Sequence, residues 1–372
     1  MVDLKGQYDQ IREQVNHAIQ KVIDDTTFIN GPQVKRFEND LQSYLDIDHV
    51  IACANGTDAL QIALMALGLK PGDEVIVPCF TYVATAEVIA LLHLTPVLVE
   101  VDPNTFNSTA DMIEAAITPK TKAVVPVHLY GQCADMEAIL EVAKQHNLFV
   151  VEDTAQALGA EYTFADGTVR KAGSMGDIGC TSFFPSKNLG CYGDGGALMT
   201  GDAGLAATIR KIANHGQAVK YYHDVIGVNS RLDTLQAAIL SVKLPYLDNY
   251  ASARNRAAEF YDAQLGGLEW LEIPVRQINS THVFHQYTVK LSSEINRDQL
   301  KAYLGELGVP SMIYYPLPLH MQKAFQTDTY QPGDFPVSED LCRRVISFPI
   351  HTEMKEEELR YITDTIKSFQ NG

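Results

Sequence analysis

The sequence predicts an α/β protein with a mainly parallel sheet flanked by helices, followed by a smaller C-terminal α+β domain. The chain has 372 residues, of which 46% are hydrophobic and 20% charged, and this is enough to bury a large core. From about residue 49, short β-branched runs alternate with helical segments, which is typical of βαβ units. Later, a longer strand pattern and amphipathic helices replace this alternation. We therefore expect a large domain over residues 1–245 and a smaller one over 246–372.

The elements of the large domain follow from the spacing of apolar residues. Apolar residues recur at helical spacing over residues 11–22 and again over 34–41, and Asn30-Gly31-Pro32 separates the two runs. Two N-terminal helices are therefore predicted. The strands are predicted where β-branched runs are short and bounded by helical segments: 50–51, 74–77, 97–101, 123–127, 149–151, 180–184 and 197–200.

The smaller domain begins after a long helical connector. Residues 232–265 have helical character, but Pro245 should kink or interrupt them. Beyond the connector we expect an ordered Pro-rich loop at 310–318 that approaches the large domain. The remaining predicted elements are a strand at 284–291, a helix at 297–307 that Gly308 ends, and a final helix at 359–369.

Charge and cysteine content exclude several classes of protein. Lys and Arg number 29 against 46 Asp and Glu, a net charge of −17, so neither nucleic acid nor an anionic membrane is expected as a partner. The six cysteines stand far apart without metal-ligand spacing. We expect reduced, mostly buried thiols and no metal site. The N-terminus lacks the apolar core of a signal peptide, so a cytoplasmic protein is expected.

One candidate site lies where the first strand ends. Asn55-Gly56-Thr57-Asp58 follows that strand and opens a predicted helix, which places free backbone N–H groups and the Thr57 hydroxyl at a helix N-terminus. Such an end binds phosphate, because its N–H groups and the helix dipole both favour an anion. The alternative is an ordinary turn in which Thr57 or Asp58 caps the helix.

Two further candidates follow later strands. An apolar run leads into Glu152 and Asp153, and a carboxylate buried there needs a cationic partner such as a protonated pyridine nitrogen. The alternative is that Asp153 caps the next turn. Lys187 lies between an apolar strand and a glycine-rich loop, where burial lowers the pKa of the amine and frees it to form a Schiff base. The alternative is a salt bridge from Lys187 to Asp194.

Five motifs together carry a resemblance to a known family. They occur in family order and spacing: NGTDAL at 55–60, FTYVAT at 80–85, EDTAQ at 152–156, SFFPSKNLGCYGDGG at 182–196 and NSRLD at 229–233. With these motifs the chain resembles the DegT/DnrJ/StrS sugar aminotransferases, from Asp3 to the C-terminal helix. The resemblance implies the aspartate aminotransferase-like fold, fold type I. It also implies pyridoxal 5'-phosphate as cofactor, with pyridoxamine phosphate as the form that carries the amino group.

The resemblance also implies a role for each matching residue. Lys187 is expected to form the Schiff base and move the substrate proton, and Asp153 to hold the pyridine nitrogen protonated. Gln156 is expected beside the ring hydroxyl, and Tyr82 is expected to stack on the ring. The residues expected to bind the cofactor phosphate come from two subunits, which implies a homodimer with shared active sites: Gly56, Thr57 and Ser182, with Asn229 of the partner subunit.

Within the family, the chain is most similar to enzymes that aminate UDP-2-acetamido-2-deoxy-3-oxo-glucuronic acid for surface polysaccharide synthesis. The resemblance implies a nucleotide-linked keto sugar as amino acceptor and glutamate as donor. Related sugar 3-dehydratases carry His where this chain has Lys187, so complete transamination is favoured. Two alternatives stay open. One is a dTDP-, UDP- or GDP-linked 3-oxo or 4-oxo-6-deoxy sugar, and the other is a non-catalytic regulatory or binding protein.

Three residues are predicted on the substrate side. Arg231 can grip the carboxylate of a uronic acid with two parallel hydrogen bonds, and the alternative is that it pairs with Asp233 or caps the following helix. Tyr314 occupies a position where relatives commonly have His. His320 lies beside the Pro-rich loop. Two other histidines are expected in the core or on the surface: His128 and His215.

Overall fold

The structure is a computed structural model that describes residues 1–326 and 329–370. The strands are β1 (His49–Cys53), β2 (Glu74–Pro78), β3 (Thr95–Val99), β4 (Thr121–Val124), β5 (Phe149–Asp153), β6 (Glu161–Thr163), β7 (Val169–Lys171), β8 (Ile178–Ser182), β9 (Gly196–Thr200), β10 (Gln217–Val219), β11 (Tyr222–His223), β12 (Leu271–Glu272), β13 (Tyr287–Leu291) and β14 (Val345–Phe348). The α-helices are α1 (Leu4–Asp25), α2 (Pro32–Leu45), α3 (Gly56–Ala66), α4 (Ala84–Leu91), α5 (Ala110–Ala115), α6 (Met136–His146), α7 (Ala203–Ala213), α8 (Thr234–Lys243), α9 (Leu247–Leu265), α10 (Arg297–Glu306), α11 (Pro336–Arg344) and α12 (Glu356–Lys367).

The central sheet confirms the predicted fold class. Its seven strands lie in the order β1-β9-β8-β5-β4-β2-β3. Neighbours from β8 to β3 pair in parallel, whereas β9 is antiparallel to β1 and β8. Helices bury both faces, because Val75 and Val77 pack with residues of α3 and α4 while Ile76 packs with residues of α5 and α6. Burial on both faces explains why these strands are apolar runs rather than alternating ones.

The ends of β1, β2, β5 and β8 meet at one edge of the sheet. Register fixes this arrangement, since Asp153 in β5 pairs with Cys180 in β8, and Ser182 and Cys53 both pair with Gly196 in β9. The segments that follow these strands are therefore brought together. In parallel sheets this is the edge at which ligands bind.

Several strand boundaries differ from the predicted ones. The strand predicted at 97–101 is β3, which ends at Val99, and the one predicted at 123–127 is β4, which ends at Val124. Pro126 has no N–H and interrupts the ladder, which resumes only as a bridge from Val127 to Asp153. The strand predicted at 284–291 begins at Tyr287. Six strands of two to four residues are not predicted, because they are too short to show alternation: β6, β7, β10, β11, β12 and β14.

The C-terminal part contains the predicted α+β elements. A 3₁₀ turn at Leu244–Tyr246 separates α8 from α9, as Pro245 predicts. Beyond it, β12, β13 and β14 form an antiparallel sheet, on which α9, α10 and α12 pack through one apolar cluster. The backbone N–H of Leu319 donates to the carbonyl of Cys79 at 3.0 Å, so the segment after the Pro-rich loop contacts the end of β2. The division into domains near residue 245 stays a prediction.

The state of the cysteines and the hydrophobicity of the helices complete the description of the fold. All six cysteines are free thiols and are buried, as the sequence predicts. Within residues 1–326 and 329–370, none of the helices has the length and hydrophobicity needed to cross a membrane.

Candidate active site

The start of α3 forms a cradle together with the end of β8. The side chain of Asn55 accepts a hydrogen bond from the Asp58 N–H at 2.8 Å and so caps α3. The predicted alternative, a cap from Thr57 or Asp58, is therefore wrong. Because the Asn55 side chain accepts from the Asp58 N–H, it does not cap Gly56 or Thr57. The backbone N–H groups of Gly56 and Thr57 point out of the helix end and have no acceptors among the described residues.

Glycine is required where α3 approaches the sheet. A Cβ atom on Gly56 would lie 2.7 Å from Cβ of Ser182, closer than real side chains approach. A Cβ atom on Gly196 would lie 2.4 Å from the carbonyl oxygen of Asn55. The absence of a Cβ atom at both positions lets the helix N-terminus lie against Ser182. Gly56, Thr57 and Ser182 together form a site with the donors that a phosphate needs, and we call these three residues the cradle.

Asp153 presents a buried carboxylate at the end of β5. It is 7% exposed. One oxygen accepts from the Thr85 hydroxyl at 2.9 Å, and the other accepts from the Ala155 N–H at 3.1 Å. The capping bond of the alternative interpretation is thus present and uses one of the two oxygens. Both donors are neutral, and among the described residues no cation forms an ion pair with Asp153.

The adjacent carboxylate, Glu152, is fully satisfied by the protein. Nε2 of His128 lies 3.0 Å from Oε2, and His128 Nδ1 accepts from the Ala134 N–H, so Nε2 carries the proton and donates to Glu152. Three backbone N–H groups complete the set at 2.6–2.9 Å: those of Gly173, Met175 and Gly176. Glu152 and His128 are 0% exposed, so His128 takes the core position, one of the two that the sequence leaves open for it.

Lys187 lies in a tight loop after β8. Its backbone N–H donates to the carbonyl of Phe184 at 2.8 Å, and the loop closes where the Cys191 N–H donates to the carbonyl of Phe183. Burial lowers the pKa of the Lys187 amine to about 8, although the charge of Asp153 opposes this shift. In the part of the chain that the structure describes, no ion pair joins Lys187 to Asp194. The alternative salt bridge is therefore not formed.

Aromatic side chains line the same edge. Tyr82 is 57% exposed, and its ring centroid lies 6.2 Å from that of Tyr315. Gln156 is buried between two partners, since its Oε1 accepts from the Tyr130 N–H at 2.9 Å and its Nε2 donates to the Tyr315 hydroxyl at 3.0 Å. Burial raises the pKa of the Tyr315 hydroxyl, so this group stays protonated and can donate onward.

Asn229 and Arg231 flank a residue that contacts the segment after β1. The Ser230 hydroxyl accepts from the Ala54 N–H at 3.1 Å, and Ser230 is 1% exposed. Bridges at Asn229 and Asp233 indicate an extended run, in which alternate side chains point to opposite sides. Asn229 is exposed and Arg231 half-buried. No described ion pair joins Arg231 to Asp233, so the alternative pairing is not formed.

The other predicted substrate residues have different surroundings. Both ring nitrogens of His320 have protein partners, 3.1 Å from Sγ of Cys79 and 3.1 Å from Oε1 of Glu339. His320 is also 3% exposed, so its contacts are those of a buried structural histidine and do not support the predicted substrate role. Tyr314 is half-buried, and its carbonyl accepts from the Tyr130 hydroxyl. His215 is exposed, as expected.

Sequence reasoning missed two residues of this site. Thr85 donates to Asp153, and Tyr315 holds Gln156. Thr85 ends the FTYVAT motif, and Tyr315 follows the unusual Tyr314, but neither residue type by itself indicates a contact with a carboxylate or an amide. Only the fold brings them to their partners.

The residues present fit pyridoxal phosphate. The cradle offers N–H and hydroxyl donors to a phosphate. The two described donors to the Asp153 carboxylate are neutral, so it can also accept from a protonated ring nitrogen. Lys187 offers an amine whose pKa is lowered to about 8, so near neutral pH its unprotonated, nucleophilic fraction is minor but much larger than that of an ordinary lysine.

Comparison with known proteins agrees with this geometry. Residues 9–367 match the DegT/DnrJ/EryC1/StrS aminotransferase family. A pleiotropic regulatory protein of Geobacillus stearothermophilus is 46% identical over 99% of this chain and 98% of its own. The UDP-N-acetyl-3-dehydro-α-D-glucosamine 3-aminotransferase of Acidithiobacillus ferrooxidans is 46% identical over 100% and 98%. The UDP-2-acetamido-2-deoxy-3-oxo-D-glucuronate aminotransferase of Pseudomonas aeruginosa is 45% identical over 97% of each chain.

Solved structures are similar over almost the whole chain. A DegT/DnrJ/EryC1/StrS aminotransferase from Brucella abortus has a TM-score of 0.93 and 42% identity over 98% of each chain. NtdA from Bacillus subtilis, with bound PMP as cofactor, has a TM-score of 0.88 and 34% identity over 96% of this chain and 81% of its own. This chain therefore belongs to the DegT/DnrJ/EryC1/StrS aminotransferase family, and the activity predicted from its motifs, that of a pyridoxal phosphate-dependent sugar aminotransferase, is confirmed.

Proposed function

We propose that this enzyme moves the amino group of glutamate to the 3-oxo carbon of UDP-2-acetamido-2-deoxy-3-oxo-glucuronic acid. The observation that supports the proposal is that Lys187, Asp153 and the cradle lie at the same edge of the central sheet. The chain is also 45% identical to the Pseudomonas aeruginosa uronate aminotransferase. A neutral acceptor is the second candidate, because the Acidithiobacillus ferrooxidans relative at 46% identity is named for a 3-dehydro-glucosamine. The cytoplasmic location stays a prediction.

In this proposal each residue of the site has a chemical task. Bound pyridoxal phosphate supplies an electron-withdrawing ring that stabilises negative charge at the donor α-carbon. Lys187 would hold the cofactor, and its amine would take the proton from the donor α-carbon and, in the second half of the reaction, supply a proton to the acceptor carbon. Its pKa, lowered to about 8, suits such a general base. Asp153 keeps the ring nitrogen protonated, the cradle binds the phosphate, and Tyr82 covers the ring.

Steady-state assays test the proposed reaction directly. Glutamate is offered with UDP-linked 3-oxo-uronate, with its neutral 6-hydroxymethyl counterpart, and with dTDP- or GDP-linked 4-oxo sugars. We expect the uronate to give the highest kcat/KM, and Lys187→Ala to lose turnover while still binding the cofactor non-covalently. Turnover near the wild-type level in Lys187→Ala would refute the assignment of the base.

Arg231 is the proposed contact for the acid group of the sugar. It has no ion-pair partner in the described chain and lies half-buried beside Asn229. A guanidinium can hold a carboxylate in two parallel bonds, which a lysine cannot reproduce. We expect Arg231→Lys to lower kcat/KM for the uronate by about 10-fold, which matches one lost charge-assisted bond, and to change the neutral sugar little. Equal losses on both sugars would favour the neutral acceptor.

The active site is proposed to be shared between two subunits. Asn229 is exposed, and in its extended segment its side chain points to the side opposite that of the buried Ser230, which contacts Ala54 of the same chain. In a homodimer it can reach the phosphate in the partner subunit. Mixing Lys187→Ala chains with Asn229→Ala chains should regain activity, because some mixed sites then hold both native residues. No gain despite demonstrated subunit exchange would contradict shared sites.

A regulatory protein without catalysis is the remaining alternative, and the name of the Geobacillus stearothermophilus relative motivates it. The presence of both Lys187 and Asp153 argues against it. The purified protein should be yellow, should lose its colour with borohydride, and should convert glutamate to 2-oxoglutarate. A colourless protein that binds no pyridoxal phosphate would favour regulation.

A further inference from the structure

A second lysine is buried beside the loop that carries Lys187. Lys243 lies in the last turn of α8 and is 1% exposed. Its Nζ donates a hydrogen bond to the carbonyl of Gly190 and lies 5.4 Å from the ring centroid of Tyr192. Over residues 1–326 and 329–370, none of the ion pairs includes Lys243. The contacts described for the ammonium group are therefore with a carbonyl and an aromatic ring, and the Cys191 thiol lies near enough to interact with its charge.

Gly190 closes the second half of the Lys187 loop. A Cβ atom on Gly190 would lie 2.3 Å from the carbonyl oxygen of Pro185, so the backbone at the two ends of the loop is in close contact here. The Cys191 N–H, one residue later, donates to the carbonyl of Phe183 at 2.8 Å. The loop is thus closed on itself, and the bond from Lys243 attaches its closing turn to α8.

A buried ammonium without a carboxylate is costly for stability. Burial lowers the pKa of Lys243 to about 8, since the charged form is disfavoured there. At neutral pH most of the amine is nevertheless protonated. An apolar side chain of similar length would fill the same space without this cost. A buried residue that lowers the stability of the fold beside an active-site loop is typical of a residue that is retained because activity needs it.

We propose that Lys243 is a positioning residue for the proton transfers of Lys187. By holding the carbonyl of Gly190, Lys243 fixes the loop so that the Lys187 amine keeps its place whenever it is detached from the cofactor. This inference rests on the proposed role of Lys187. It predicts that loss of Lys243 loosens the loop and slows turnover, while substrate binding and global stability are retained.

Hydrogen exchange in the cofactor-free protein tests the loop directly. Lys243→Met removes the donor and the charge at nearly constant length. We expect the amides of residues 183–192 to exchange several-fold faster in this variant. Lys171→Met is the matched control, because Lys171 also lies over a tyrosine ring, 4.7 Å from the centroid of Tyr44, but on the β6–β7 hairpin. Unchanged exchange over 183–192 in Lys243→Met would overturn the proposal.

Kinetics and melting test the consequence for catalysis. For Lys243→Met we expect kcat to fall at least 10-fold, both KM values to stay within about 2-fold, and Tm at pH 7 to stay equal or rise. Lys243→Gln keeps an N–H donor and should recover part of kcat, and it replaces the Met variant if that one does not fold. If kcat and Tm both fell in Lys243→Met, and kcat did not recover in Lys243→Gln, Lys243 would have only a structural role and the proposal would be wrong. Because hydrogen exchange needs neither cofactor nor substrate, failure of the proposed reaction alone would leave that result unchanged.

Discussion

Glu152 and Asp153 are adjacent carboxylates on β5 with opposite surroundings. Consecutive residues of a strand point to opposite faces of the sheet, so the two side chains meet different parts of the protein. Glu152 accepts from His128 and from three backbone N–H groups. Among the described residues, the Asp153 carboxylate accepts from two donors, the Thr85 hydroxyl and the Ala155 N–H.

This difference separates a carboxylate that stabilises the fold from one that is kept for a ligand. A carboxylate with four hydrogen-bond donors has its charge stabilised by the protein itself, whereas one with two donors keeps acceptor sites free and can still bind a cation. Burial alone does not distinguish them, since both are buried. The comparison predicts that neutral substitutions at the two positions affect different properties of the enzyme.

The largest effect is expected from Asp153→Asn. A neutral amide no longer holds the cofactor nitrogen protonated, so turnover should fall about 1,000-fold, which corresponds to about 4 kcal/mol of activation free energy. Stability should change little. Asp177→Asn is a control, because the Asp177 side chain accepts from the Val150 N–H near the other end of β5. If Asp153 only capped a turn, the rate would stay unchanged and about 1 kcal/mol of stability would be lost.

Glu152→Gln should have the complementary effect. The amide loses the charge that four donors stabilise, and its own NH₂ group faces N–H donors, so we expect a loss of about 3 kcal/mol in the free energy of unfolding. Urea denaturation of the cofactor-free protein measures it. The kcat of the folded fraction should remain within a few-fold of the wild-type value. A stable Glu152→Gln enzyme with a large loss of kcat would reverse the comparison.

Thr85→Val sharpens the comparison by removing one donor from Asp153. We expect turnover to fall about 10-fold, because a hydrogen bond to a charged group contributes about 1.5 kcal/mol. Thr154→Val is the matched control, since the buried Thr154 hydroxyl contacts no partner among the described residues. The control should keep its activity. Equal effects of the two substitutions would mean that hydroxyl loss, rather than the bond to Asp153, changes the rate.

The sequence predicts the positions of both carboxylates but not their different roles. A short apolar run predicts a strand at 149–151 that leads into both carboxylates, which in the structure are the last two residues of β5, and the family motif implies a role for Asp153. The donors of Glu152 lie more than 20 residues away in sequence, at His128 and Gly173–Gly176, and only the sheet register brings them to it. Local patterns carry no information on such contacts.

Lys243 illustrates a signal that sequence reasoning can use. Leu240 and Leu244 lie on the buried stripe of α8 and its extension, and Lys243 interrupts that stripe. A lysine at a core position of an amphipathic helix indicates a buried cation. The acceptor at Gly190 is 53 residues away, so the partner could not be predicted.

The smallest effect concerns the pKa of Lys187 in the cofactor-free protein. Burial lowers this pKa to about 8, and the charge of Asp153 acts in the opposite direction because a nearby carboxylate stabilises the ammonium form. Removing that charge in Asp153→Asn should therefore lower the pKa of Lys187 further. Glu152→Gln should leave it unchanged, because the Glu152 charge is already compensated on the opposite face of β5.

The pH dependence of chemical modification measures this shift. Only the neutral amine reacts with an acylating reagent, so the rate at Lys187 should rise with pH and reach half its maximum near pH 8 in the wild type. Peptide mapping separates Lys187 from the other lysines, and Lys187→Ala supplies the background. If the pH of the half-maximal rate moved equally in Asp153→Asn and Glu152→Gln, both carboxylates would act on the Lys187 amine. The distinction between the compensated charge of Glu152 and the available charge of Asp153 would then be wrong.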